Sequence, residues 1–575
     1  MSKKIAYGPY LEKIEEICKP LSRNDLHEII MAMAREARIH ERSMFIEKIE
    51  ACLPGKQSQW DTEPEEDVFD GIEALKESIQ ERIELIEDGE YHELEDYDVY
   101  DSYYDDNPDE VSQEQMDELE SYFYDAGRYF LEGKLETAGK IYEALFALIE
   151  ETEIKHLLYE INILEERARF CRCVYELTEG PGRVDALLKA MNPDFEESAF
   201  MPSRDNYPAL KDVMDTLVEP LPDFESFLPE WEAALSQSGG IPGLRRARLW
   251  LEAVSFRNDF EKISELARTW ADQQPYGYIF WLEQLEPKKS WTESAAVSRE
   301  ALNIISPGER RAKVAGHLIS AGEQLDDKMM ILQGKRELFF STPTYHTLVT
   351  FIHEAEKNNL RQQELDKAAE YLDQAEDRIH SKDDMHITVL IMGGRISEAF
   401  TRSKDAAPVG WSYSSSSGLL FSCALYLYSL MNDQCSVTST LMEDNADRNY
   451  FDTLDYGFSD RDALEGECLR QIMQGLAMTR LPDAELKKYF QWAVKLGEKR
   501  IQHIVSNKYR KAYKRAAKVL VAIAEAYAAN NDNQKAASML KKYYYELFNR
   551  FSAFRSEVRE VLGMSEILRK KSIGV

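Results

Sequence analysis

Apolar residues recur three and four positions apart along most of the chain, and short polar breaks separate the runs. The pattern is plainest from Tyr124 to Glu150. Ala126, Tyr129 and Phe130 share a helical face, Gly133 interrupts it, and Ala138, Tyr142 and Leu145 take it up again. A helix–turn–helix pair of this kind cannot bury its stripe alone, so it needs neighbours built the same way.

Other segments repeat the idea. Leu26, Ile29, Ile30 and Met33 follow the cap-forming residues Ser22, Asn24 and Asp25, and a run through Met44, Phe45 and Ile49 stops at Leu53-Pro54-Gly55. Phe69, Ile72, Leu75, Ile79, Ile83 and Leu85 predict an amphipathic helix over 67–88. Leu244, Ala247, Leu251 and Val254 share a face, Asn258-Asp259 turns the chain, and Phe260, Ile263, Ala267 and Trp270 return. Thr342-Pro343 reads as an N-cap with proline in the first helical position, opening a pair over 344–357 and 361–379. Ala406 to Gly418 reads as a loop, with helices resuming at Leu419 and closing over 514–529 and 534–551. Leu520, Ile523, Ala524 and Tyr527 form the expected stripe of the first of these.

Three turns share a spacing. Gly133 precedes Ala138, Gly394 precedes Ala399 and Asn531 precedes Ala536, each by five residues. A turn residue, then a small residue where the second helix crosses the first, is what helical-hairpin repeats require. The intervals between the three are irregular. The expected fold is therefore all-α, an irregular tetratricopeptide-like hairpin solenoid. Its expected parts are an N-terminal helical module (1–56), an acidic helix and tyrosine-rich linker (57–120), hairpin repeats (121–405), and C-terminal helical repeats with a basic face (406–575).

Charge sharpens this division. From Asp61 to Asp125 there are 27 acidic residues against Lys76 and Arg82 alone, whereas Lys487 to Lys571 holds 20 Lys and Arg against seven acids. The stretch from Tyr91 to Glu110 is acid and tyrosine with little aliphatic content, a composition that resists compaction and reads as a solvated linker. Asp96, Asp98, Asp101, Asp105 and Asp106 are its candidate contacts for a basic partner. At the other end, Lys508, Arg510, Lys511, Lys514, Arg515 and Lys518 crowd a helix start, with Tyr543, Tyr544 and Tyr545 nearby in sequence. Cations for phosphates and aromatics for base stacking are what single-strand binding uses. Adjacent tyrosines face different directions on a helix, so some of the three belong to the core.

Recognised catalytic spacings are missing. Cys171 and Cys173, with His156, offer three metal ligands, yet Leu164, Ala168 and Cys171 fall on one apolar face, where cysteine packs as a small hydrophobe. His346 and His353 share a helical face, but the second histidine of a His-Glu-x-x-His zinc site is lacking. Asp105, Asn107 and Asp109 begin a calcium-loop pattern that fails at Glu110, where glycine is needed, and at Met116, where glutamate is needed. Ser414 to Gly418 has no Gly-Lys-Ser/Thr after it. No cofactor or metal is expected. Seven scattered cysteines, no apolar segment behind Lys3-Lys4, and a longest apolar run (Gly418 to Met431) shorter than the ~20 residues of a membrane span lead to the expectation of a cytoplasmic protein with free thiols.

Arg500 to Tyr527 (RIQHIVSNKYRKAYKRAAKVLVAIAEAY), the tyrosine-rich helix after it and Ala553 to Val558 (AFRSEV) together resemble the C-terminal helices of bacterial SWIM zinc-finger-associated proteins. So does the order of N-terminal helices, acidic linker and tetratricopeptide-like hairpin. The zinc finger needs Cys-x-Cys followed by Cys-x-His; Cys171-Arg172-Cys173 is the only Cys-x-Cys here and no Cys-x-His occurs, so the metal site does not carry over. The resemblance implies a helical interaction region with some association with nucleic-acid machinery. The function expected is a non-catalytic scaffold for a protein partner, away from membranes. The alternative is a nucleic-acid accessory protein binding through the basic C-terminal helices.

Overall fold

The computed structural model describes residues 7–36, 66–87, 111–154, 161–192, 207–237, 240–375, 382–403, 416–451 and 466–575. Among them are 27 α-helices and no strand, as the periodicity predicts. None of these helices is long and apolar enough to cross a membrane. The chain divides into two compact units, Met1–Trp281 and Leu282–Val575.

In the first unit, the Glu66–Glu87 helix buries Ile72, Leu75 and Ile79. Ser112 caps the next helix, Gln113–Leu131: its hydroxyl accepts the Gln115 N–H at 3.2 Å while the Gln115 side-chain oxygen accepts the Ser112 N–H at 2.9 Å. This helix packs on Leu135–Glu151 through Phe123, Tyr142 and Phe146, whose ring centroids lie within 6.4 Å. Cys173 joins that core, while Cys171 belongs to the neighbouring one with Tyr175, Leu187 and Trp231. Two positions apart on a helix, the two thiols serve different interiors. Burial pushes both up to about 12, so they pack as neutral hydrophobes (His156 lies outside the described residues).

One turn recurs through both units. Gly133, Asn258, Asp326, Asn359, Gly394 and Asn531 each stand two residues past one helix and two before the next, with φ between 52° and 78°. In every case the following N–H reaches back five residues to a helical carbonyl, for example Lys134 to Tyr129 at 3.0 Å and Asp532 to Tyr527 at 3.0 Å. That is a Schellman closure, which needs a left-handed residue at the turn; glycine adopts it freely, and Asn and Asp tolerate it. Five residues after the turn, Ala138, Ile263, Glu364, Ala399 and Ala536 are buried. Lys289 and Lys508 close helices with the same backward bond, Ser290 to Leu285 and Tyr509 to Ile504.

Three local expectations are corrected. The cap of the Tyr345–Lys357 helix is Thr344, in a reciprocal pair with Thr347, while the Thr342 hydroxyl bonds back to Leu338 and closes the preceding helix. Pro343 thus sits outside the helix, between the two. Ser416–Gly418 is helical, not loop, and Gly418 lies so near Asn445 that a Cβ there would come within 2.9 Å of its Oδ1. The last predicted helix is broken: Asn533–Lys541 gives way to a wide π-helical turn, Lys542–Leu547.

The core of the second unit runs from Leu332 to Leu568 around the Tyr513–Ala529 helix. Leu520, Ile523 and Ala524 are buried as expected, but so are Val519, Val521, Ala522 and Ala526. A helix buried all round is central, not amphipathic. Its one acid, Glu525, is itself wholly buried and accepts the N–H groups of Val437 (3.1 Å) and Thr438 (2.8 Å), capping the Ser436–Phe451 helix.

Candidate polyanion-binding surface

The basic residues singled out in the sequence surround the start of this central helix. The preceding helix, Asp483–Ser506, ends where the Asn507 side chain donates to the His503 carbonyl at 2.8 Å. Lys508 takes the left-handed turn at φ 59°, Arg510–Ala512 forms a single 3₁₀ turn, and Tyr513 enters the core edge-on to Phe554. No acid occupies the first turn of Tyr513–Ala529; Lys514 and Arg515 stand there instead. Cations beside the positive end of a helix cost about 0.3–1 kcal/mol each, so the arrangement works against stability.

The six cations divide. Lys508, Arg510 and Lys511 are exposed and make no ion pair with any described residue. Lys514 leans to one side, reaching Glu560 of the Ser552–Met564 helix at 2.7 Å, with both side chains half in solvent. Lys518 leans to the other side and is mostly buried against Asp444 at 2.7 Å. Arg515 and Lys518 meet Arg500, of the preceding helix, around a cleft of about 20 Å³ whose remaining wall includes Asp444, Asn445 and Ile504. Burial and, after it, the charge of Arg515 hold the Arg500 guanidinium below the ordinary arginine range.

Sequence reading missed Arg500 and His503 because they belong to another helix. Helical spacing was the available signal, since three residues place His503 one turn beyond Arg500. His503 and Tyr509 are both exposed, their ring centroids 5.6 Å apart. The tyrosine trio contributes less: Tyr543 and Tyr544 are buried and only Tyr545 is exposed. Asp96, Asp98, Asp101, Asp105 and Asp106 lie outside the described residues.

A second charged cluster in this unit draws together His353, Glu356 and Glu467, with potential ligand atoms within 4.8 Å of one another. His353, which sequence places on a helix surface, in fact touches Glu467 of the Glu467–Met478 helix at 3.0 Å. The Arg470 guanidinium already spans the two carboxylates, pairing with Glu356 and, through Nε at 2.8 Å, with Glu467. Gln474 adds a bond to Glu356 and Gln471 one to Glu467. A cation thus fills the position a metal would take. Burial works to raise the Glu467 pKa, but hydrogen bonds from Arg470, Gln471 and His353 outweigh it and hold the carboxyl down at about 2.

No protein-family model matches the chain, and no curated protein is significantly similar to it.

Proposed function

We propose that this chain is a non-catalytic, tetratricopeptide-like scaffold of the cytoplasm that binds a protein partner. The observation carrying this reading is the repeated turn. From Asn258 through Lys289, Asp326 and Asn359 to Gly394, it recurs every 31 to 37 residues, around the 34-residue period of tetratricopeptide arrays. Stacked hairpins of that period serve as binding surfaces. The acidic stretch with Asp96, Asp98, Asp101, Asp105 and Asp106 supplies an electrostatic handle for a basic partner. A full-length variant with these five changed to Asn tests the handle, since the Glu66–Glu87 core helix stays intact. A protein recovered stoichiometrically with the native chain and lost from the variant supports the proposal. Equal recovery removes the handle, and no stoichiometric protein in either case sinks the scaffold.

A second reading, nucleic-acid binding through the C-terminal helices, is favoured by one observation: Tyr509, of the exposed His503–Tyr509 ring pair, stands between Lys508 and Arg510, which with Lys511 make no ion pair with any described residue. Its mark is affinity for single strands that falls steeply with salt. Binding that ignores salt refutes it.

A further inference from the structure

One helix of the second unit stands out of order in the stack. The hairpins that turn at Asn359 and Gly394 have Tyr345–Lys357 and Lys382–Met392 as their leading helices. Glu467–Met478, well further along the chain, lies across both. Its Gln471 amide donates to the Val349 carbonyl at 3.2 Å, and its Glu467 meets His353. The Arg361 guanidinium, at the head of the Arg361–Gln374 helix, donates to the Gln471 carbonyl at 3.0 Å and to the Met392 carbonyl at 2.9 Å, tying the crossing helix to the second hairpin. At Gly475 the backbones come so close that a Cβ would overlap the Ile391 and Met392 carbonyl oxygens. Cys468, Ile472 and Leu476, each four residues from the next, are buried. Apolar anchors repeated along one face of a helix are how an amphipathic helix is held in a groove between other helices.

The seat is imperfect. Arg361 Nε, Gln471 Oε1 and Gln474 Oε1 are all buried without a hydrogen-bond partner among the described residues, and buried polar atoms left unmatched are costly. A contact so polar and so incompletely matched has the character of a transient interface. We propose that Glu467–Met478 is an internal occupant of a helix-binding groove between Tyr345–Lys357 and Lys382–Met392, and that the protein partner enters by displacing it with an amphipathic helix of the same chemistry. That helix carries apolar residues at three positions four apart, an arginine to meet Glu356, a carboxylate to meet His353, and a glycine where Ile391 and Met392 pass. The proposal rests on the scaffold reading and specifies both the kind of partner and what holds its site closed.

The probe is a fluorescein-labelled peptide of residues 466–479, titrated with the full chain and read by fluorescence anisotropy. Affinity for a groove that is closed most of the time is reduced by the open fraction, so the native chain binds the peptide weakly. Gly475→Leu in the chain pushes its own helix off the two carbonyls and raises peptide affinity about tenfold or more; the same change in the peptide abolishes binding. Glu356→Lys added to the released chain takes back about tenfold, because it then faces the arginine of the peptide. A Gly475→Leu chain that keeps its native melting transition and binds the peptide no better than the native chain overturns the proposal. Should that variant lose the transition, Arg470→Gln, which loosens the helix with no steric change, takes its place with a gain of about threefold; no gain overturns the proposal in the same way. A protein recovered stoichiometrically with the native chain is recovered in greater amount with the released one and is competed off by the peptide. Recovery that the peptide does not reduce removes the groove as the partner's site while the scaffold stands. Peptide binding to the released chain with no stoichiometric protein on either chain keeps the groove and sinks the scaffold reading.

Discussion

The second unit holds two clusters of charge assembled on opposite principles. Around Arg470 each carboxylate has a counterpart: Glu356 and Glu467 accept from Arg470, Gln474 and Gln471, with His353 against Glu467, across two helices. Around the start of Tyr513–Ala529, cation follows cation, and Lys508, Arg510 and Lys511 have no described counter-charge. Matched charges add to the fold once their desolvation is offset, whereas like charges gathered at the wrong end of a helix dipole weaken it. The first cluster belongs to the stability of the helices; the described residues give the exposed cations of the second no such part.

The largest expected effect tests that division directly. Glu467→Ala removes the mostly buried carboxylate shared by Arg470, Gln471 and His353 and should destabilise the second unit by about 3 kcal/mol, the cost of leaving its hydrogen-bond donors unmatched. Lys508→Ala with Lys511→Ala should stay within about 0.5 kcal/mol. Urea unfolding measures both. Equal effects would erase the distinction.

Next in size is acid sensitivity. Because the folded pKa of Glu467, about 2, lies below its ordinary value of 4.5, the stabilisation it brings is complete above 4.5 and is lost as pH falls toward 2. The loss should be about 2 kcal/mol after allowance for solvent screening. Glu467→Gln should flatten this limb of the stability–pH curve, and Lys511→Gln, which touches no carboxylate of the closed cluster, should leave it unchanged. An unaltered limb in the Gln variant would show that the closed cluster is not coupled to folding.

How legible the two clusters were follows from where their members sit in the chain. Lys508 to Lys518 was visible because its residues are neighbours in sequence. Arg500 and Asp444 were not, because only helix packing brings them to the cleft. The pairing of His353 with Glu467 spans more than a hundred positions, and no local spacing encodes it. The turns show the same limit. Gly133, Gly394 and Asn531 were readable because a small alanine follows each by five residues. Asn258-Asp259 marks a turn without that spacing and the break between 344–357 and 361–379 brackets Asn359, but nothing in the sequence marks the equivalent turn at Asp326. Ile263, Ile331 and Glu364 stand at their crossings, and those residues carry no such mark. Glu364 is buried because Arg336, far off in sequence, pairs with it at 2.6 Å.

The smallest predicted effect joins the turns to the charges. Lys508 holds the left-handed position that Gly, Asn or Asp fills at the six regular turns, and an ordinary side chain pays about 1 kcal/mol there. Its ammonium recovers none of this from the described residues. Lys508→Gly should therefore stabilise the chain by about 0.5–1 kcal/mol while weakening oligonucleotide binding about twofold, the share of a single exposed phosphate contact. Asn531→Gly, at the matching turn away from the cleft, should change stability by less and binding not at all. A Lys508→Gly protein that gains stability with undiminished binding would place the unmatched charge elsewhere on the surface. One that loses stability would mean that the lysine stem packs on the turn, and the open cluster would then be part of the fold after all.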